Sequence, residues 1–186
     1  MGVTRPVAAR VIEKPAHLSP EWAAQFTDRA VVAAYHTRPP YPDEVFEILE
    51  SLLPPGERRV LELGCGSGDL TLRLAPRVTA VDALDVSVPM LELARRRAGA
   101  SHPNVRWLHS SAEAHEPSAT YSQIVAAESL HWMDWYVVLP RCARWLAPDG
   151  VLAIVDGRAL HALPWQSEVD CSLPLTRRTA FSGAPA

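Results

Sequence analysis

Val60-Leu-Glu-Leu-Gly-Cys-Gly-Ser-Gly68, continuing as Asp69-Leu-Thr-Leu-Arg-Leu-Ala75, is the stretch around which the chain is organised. An apolar run carries one acidic residue, passes through glycines at alternating positions and opens a helical pattern. That order reads as a buried parallel strand, a tight turn and a helix N-terminus. Glycine at 64, 66 and 68 lets the backbone take positive φ and leaves no Cβ between the main chain and a ligand. The free N–H groups of the following helix point toward whatever lies in the turn. The stretch reads as a cofactor cradle.

The spacing is G-x-G-x-G, not the G-x-G-x-x-G of a dinucleotide fingerprint. Glu62 would also place like charge near a pyrophosphate. It suits a ligand that carries positive charge, such as the methionine end of S-adenosylmethionine. A second landmark follows the apolar run Val78-Thr-Ala-Val81. An acid at the end of that strand can accept both hydroxyls of a ribose, and Asp85 and Asp82 both qualify.

Four segments, in order, resemble the class I S-adenosylmethionine-dependent methyltransferases. They are Val60–Ala75, Leu84-Asp-Val-Ser-Val-Pro-Met-Leu-Glu-Leu-Ala94, Ala127-Glu-Ser-Leu-His-Trp132 and Arg144-Trp-Leu-Ala-Pro-Asp-Gly-Val-Leu-Ala-Ile-Val155. The Leu-His-Trp element, with Tyr35-His-Thr-Arg-Pro-Pro-Tyr-Pro42, is similar to the type 11 branch that includes trans-aconitate methyltransferase. The resemblance spans roughly residues 20–165. It implies S-adenosylmethionine as cofactor and favours Asp85 over Asp82 for the ribose, because Asp85-Val-Ser87 and Met90 match the family's register. The cofactor contacts it implies are Glu62, Gly64, Cys65, Gly66, Ser67, Gly68, Asp85, Val86, Met90, Ser111, Ala112 and Glu128. Glu62 is expected to meet the methionine ammonium directly or through water.

The chain departs from the family's pattern in two places. Ser111 stands where an acid usually meets the adenine amino group. It can still accept one hydrogen bond, and Glu113 is the alternative. Tyr121-Ser122 replaces the usual Tyr-Asp at the start of the fourth strand. His131 and Trp132 follow that strand, where the acceptor must approach. His131 is the candidate catalytic residue, able to orient or deprotonate an acceptor near its ordinary pKa of about 6.5; the alternative is packing with Trp132 against the front helices. Tyr35, Tyr41 and Trp132 are the candidate substrate residues. Tyr41 could equally pack between prolines.

Taken in order, residues 1–18 read as a loose arm and 19–56 as cap helices, with a helix start at Ser19-Pro-Glu21 and a second helix over Pro42–Leu53. Residues 57–156 alternate strand and helix, which predicts right-handed crossovers and an α/β, Rossmann-like doubly wound parallel sheet. Ser87 is the expected cap of the helix over Ser87–Ala98. A helix from about Asp134 is expected to bury Trp135, Val138, Leu139, Cys142 and Leu146. Residues 157–186 read as an irregular tail, and the expectation is that the family's last two strands are missing. An uncovered sheet edge would then favour a homodimer.

Composition narrows the function classes. Hydrophobic residues make up 48% and charged residues 21% of 186, the balance of a globular domain. With a net charge of −3 and Arg95-Arg-Arg97 as the only dense basic cluster, nucleic acid is not an expected partner. That triplet reads as a solvated helix face. No apolar run is long enough to span a bilayer and no leader is recognised, so the cytoplasm is the expected compartment. Cys65, Cys142 and Cys171 lack paired spacing, and the histidines form no ligand set, so no metal site is expected.

The leading expectation is therefore a methyltransferase acting on a small molecule, with a carboxylate among the candidate acceptors. A cradle that binds cofactor without turnover is the first alternative. A nicotinamide-dependent oxidoreductase is the second, and the single lysine, Lys14, counts against its usual Tyr/Lys pair.

Overall fold

The computed structural model describes residues 24–157, apart from the side chains of Ala24 and His36. The expected arm, the helix start at Ser19 and all but Gly157 of the tail lie outside the described residues. After a 3₁₀ turn at Ala24–Thr27 come α1 (Arg29–Ala34), a second 3₁₀ turn at Tyr35–Thr37 and α2 (Asp43–Ser51). The alternating region then runs β1 (Arg59–Leu63), α3 (Asp69–Leu74), β2 (Ala80–Asp85), α4 (Val88–Ala98) and β3 (Val105–His109). It continues through β4 (Tyr121–Ala127), α5 (Trp135–Trp145) and β5 (Leu146–Val155).

All four strand pairings are parallel, in the order β3-β2-β1-β4-β5. The chain winds outward from β1 in one direction through β2 and β3, then crosses back to β4 and β5. The order therefore reverses between β1 and β4, and a crevice opens there beyond the carboxyl ends of the strands. β4 is buried along its whole length, as expected of a central parallel strand.

Each face of the sheet has its own core. Leu61, Leu63, Ile124 and Ala126 pack with Val138, Cys142 and Trp145 of α5. Val60, Val125 and Ala127 pack on the other face with Phe46 and Leu49 of α2 and Leu70 and Leu74 of α3. Full burial of each large apolar side chain contributes roughly 1.5–3 kcal/mol.

Local chemistry sets the helix starts. Asp28 accepts from the Ala30 amide at 2.7 Å, Ser87 from the Met90 amide at 3.2 Å and Asp134 from the Tyr136 amide at 3.0 Å. The expected buried face of α5 needs correction: Leu139 is 38% exposed, and Leu146 has left the helix to begin β5. The face is instead Val138, Cys142 and Trp145, three to four residues apart. The Arg95-Arg-Arg97 triplet is exposed, as expected of a solvated helix face, and Arg95 also donates to the Trp107 carbonyl and Arg97 to the glycine turn.

β5 is the outermost described strand on its side, and Ile154 on it is 57% exposed. Among the described residues no helix is long and apolar enough to cross a membrane.

Candidate active site

The glycine turn is wired to its neighbours by its own backbone. The amides of Gly64 and Cys65 both donate to the Leu84 carbonyl, at 2.8 and 2.9 Å, and Gly68 donates to Cys65 at 2.9 Å. Gly64 has φ +73°, and a Cβ built there would lie 2.6 Å from Cβ of Ser129. Gly68 has φ +80°, and its Cβ would lie 2.8 Å from the Trp107 ring. Glycine is therefore required by both conformation and space. Gly66, at φ +53°, shares the conformational requirement but not the crowding: the nearest atoms to its Cβ position belong to the Tyr35 ring, 3.8 Å away. Its bare backbone faces open space.

That space is a cleft at the switch point. Gly64, Gly66, Asp85, Val86 and Met90 line it from β1, β2 and α4. Ser111, Ala112 and Glu128 line it from the loops after β3 and β4, and Tyr35 and Trp132 close it from the front. The acid alternative Glu113 lines it as well. Six expected residues do not line the cleft: Glu62, Cys65, Ser67, Gly68, Tyr41 and His131. Cys65, Ser67 and Gly68 form the back of the turn. Tyr41 packs beside the α2 core, with its carbonyl accepting from Arg73. The His131 ring lies 4.8 Å from that of Trp132, which meets Phe26 edge-on at 5.7 Å.

The two acids of β2 have separated. The Asp85 carboxylate accepts from the Gly66 amide at 2.7 Å and the Ser87 amide at 2.8 Å. A carboxylate has about four acceptor positions, so these amides do not exhaust its capacity for a ligand. Burial raises its pKa, against the lowering effect of those amides. Asp82 instead takes a two-pronged contact from Arg106, both distances 2.6 Å, and the Tyr121 hydroxyl at 2.8 Å. Burial opposes its ionisation, but Arg106 and Tyr121 outweigh it and its pKa is lowered. Asp82 ties β2 to β3 and β4.

Glu62 lies beneath the cradle, 2% exposed, and accepts from the Thr71 hydroxyl. Burial pushes its pKa up to about 8, with Asp85 and Asp69 adding and Thr71 opposing. Ser122, at the departure from Tyr-Asp, donates to the Glu57 carbonyl and so anchors the start of β4.

Several cleft residues had no clear signal in the sequence. Phe26, Thr27, Ser129 and Met133 line it. Ser129 donates to the Leu63 carbonyl at 2.6 Å, joining the ends of β1 and β4. Its place beside Leu-His-Trp was the available hint. Glu128 holds φ 53°, a left-handed conformation that is uncommon outside glycine and gathers at functional sites.

The donor set fits a cationic nucleoside ligand. Asp85, Glu113 and Glu128 line the cleft, and none of its described lining residues is Lys, Arg or His. A sulfonium and an ammonium would find complementary charge there. Asp85 suits ribose hydroxyls, and the open face of Gly66 leaves room that a Cβ would take.

Comparison with known proteins gives the same answer. Residues 60–150 match the family described as methyltransferase domain. An uncharacterized methyltransferase of Mycobacterium tuberculosis is 37% identical over 110 residues, covering 58% of this chain and 55% of that protein. Trans-aconitate 2-methyltransferase of an Acidovorax species is 34% identical over 122 residues, covering 64% and 44%. The solved CcbJ methyltransferase from Streptomyces caelestis superposes with a TM-score of 0.58 at 26% identity, over 69% of this chain and 56% of that one. The chain spans about half the length of the curated relatives it matches. Together with the parallel strand order, the glycine turn and the strand-end acid, these similarities support a class I S-adenosylmethionine-dependent methyltransferase.

Proposed function

We propose that this chain carries the cofactor-binding core of a methyltransferase acting on a small-molecule acceptor. The observation that carries the reading is the pairing of Gly66 with Asp85, whose carboxylate accepts from the Gly66 amide at the rim of an acid-lined cleft. Bound S-adenosylmethionine would supply an electrophilic methyl on a cationic sulfur. Asp85 holds the ribose hydroxyls, Ser111 or Glu113 meets the adenine amino group, and Glu128 faces the methionine end. Glu62, held largely protonated near neutral pH by its burial, acts from below on the methionine ammonium through a water, or releases its proton to solvent as that cation binds. Trp132, Phe26 and Tyr35 shield the methyl from solvent, and alignment of the acceptor supplies most of the rate.

The similarity to trans-aconitate 2-methyltransferase supports a carboxylate acceptor. Such an acceptor is already ionised and needs no base; for a hydroxyl acceptor, His131 is the candidate to take the proton. The test is transfer of a labelled methyl from the cofactor to a panel of small carboxylic acids, alcohols and amines. Transfer to one class names the acceptor. Tight cofactor binding with no transfer to any of them would favour the alternative of a cradle without turnover. A homodimer through the β5 edge belongs to the same reading, supported by exposed Ile154 on the outermost described strand. Sedimentation at several protein concentrations should show it, and a monomer throughout would remove it.

A further inference from the structure

The glycine turn has a brace that the cofactor reading does not use. Arg97, near the end of α4, sends one guanidinium nitrogen to both the carbonyl and the hydroxyl of Ser67, at 2.9 and 3.0 Å. Its other terminal nitrogen meets Asp69 at 2.7 Å. Ser67 in turn donates to Asp69 at 2.5 Å, so the three side chains close a ring around the back of the turn. Gly68 lies between them, where an added Cβ would stand 2.8 Å from the Trp107 ring and 3.3 Å from Ala94.

Three alternating glycines give the turn the shape it needs and also the greatest freedom to lose it. On the cleft side, Asp85 holds the Gly66 amide. On the opposite side, Arg97 holds the carbonyl of the Ser67–Gly68 peptide. A planar fork that grips a carbonyl and a carboxylate together fixes direction as well as distance. The ion pair is more than a third exposed on both partners, so it adds little to global stability. Its effect is therefore local to the turn.

We propose that Arg97 is a positioning residue for the cofactor: by clamping Ser67 and Asp69 from α4, it fixes the orientation in which the Gly64–Gly68 turn meets S-adenosylmethionine. The inference rests on the cofactor reading above. Arg97→Met, which keeps the apolar stem, should weaken S-adenosylhomocysteine binding by about tenfold or more, since small misplacements of a site are costly. Its melting temperature should stay close to that of the wild-type chain. Arg97→Lys should recover part of the loss, because an ammonium can reach Asp69 but cannot bridge it to Ser67.

Calorimetric titration of wild type and both variants reads the affinities. Amide hydrogen exchange reads the turn, where Gly66 and Gly68 should exchange faster in Arg97→Met while the strands stay unchanged. Unchanged affinity in Arg97→Met, or equal losses in Met and Lys variants, would overturn the proposal. So would a fall in melting temperature that accounts for the loss of affinity. If wild type binds no cofactor, that reading fails by itself, and the exchange comparison still decides the clamp: unchanged rates at Gly66 and Gly68 refute it. Should Arg97→Met not fold, Asp69→Asn undergoes the same comparison, with a smaller loss expected.

Discussion

Asp82 and Asp85 stand three residues apart on β2, and their surroundings separate their roles. Asp85 accepts from backbone amides and lines the cleft, so Asp85→Ala should weaken S-adenosylhomocysteine binding by about 1–3 kcal/mol with little change in stability. Titration calorimetry on the folded variant measures the first and a urea melt the second. Asp82 shows the reverse pattern. Removing its hydroxyl donor by Tyr121→Phe should cost about 1.5–3 kcal/mol of stability in a urea melt, since the acceptor is charged, and leave cofactor affinity unchanged. Glu62 adds a pH signature. Its folded pKa of about 8 lies above the ordinary 4.5, so the folded chain binds one more proton than the unfolded chain between those values. Stability from this group is therefore full below about 4.5 and is lost progressively as pH rises to about 8. Urea melts across that window should show the decline, and Glu62→Gln should flatten it; parallel profiles for the two proteins would rule out Glu62 as the cause.

At the scale of elements, the glycine turn divides structural from ligand-facing positions. Gly64→Ala forces a Cβ to 2.6 Å from Ser129 at positive φ, and overpacking of that kind costs roughly 1–3 kcal/mol in a thermal or urea melt. Gly66→Ala meets nothing closer than 3.8 Å but places a side chain at φ +53°, so it should lower the melt less than Gly64→Ala while also weakening cofactor titration. A melt lowered more by Gly66→Ala than by Gly64→Ala would contradict this division. The β1–turn–α3 and β2–Ser87–α4 units were legible because strand, glycine spacing and capping residue are adjacent in sequence. Asp85 could be told from Asp82 only by family register, since both close the same apolar run. Leu139 was misjudged, and the contacts made by the solvated Arg97 were missed, for a related reason. Periodicity indicates which residues share a face, but not which partner thirty residues away lies against it. The cleft's Phe26 and Met133 were missed because apolar side chains around a site leave the same pattern as a core.

The whole molecule places the site by topology. Five parallel strands reverse their order between β1 and β4, and the cradle, Asp85 and Glu128 all lie at carboxyl ends beside that reversal. The solved methyltransferase from Streptomyces caelestis shares the fold over 56% of its length. The central claim is that the acid-lined cleft holds S-adenosylmethionine through Asp85 and the bare face of Gly66. Isothermal titration of the folded chain with S-adenosylhomocysteine, repeated with Asp85→Ala, tests it most directly. The account predicts saturable one-to-one binding by the wild-type chain and clear weakening in the variant. Absence of binding by a folded wild-type chain, or equal affinity in Asp85→Ala, would contradict it.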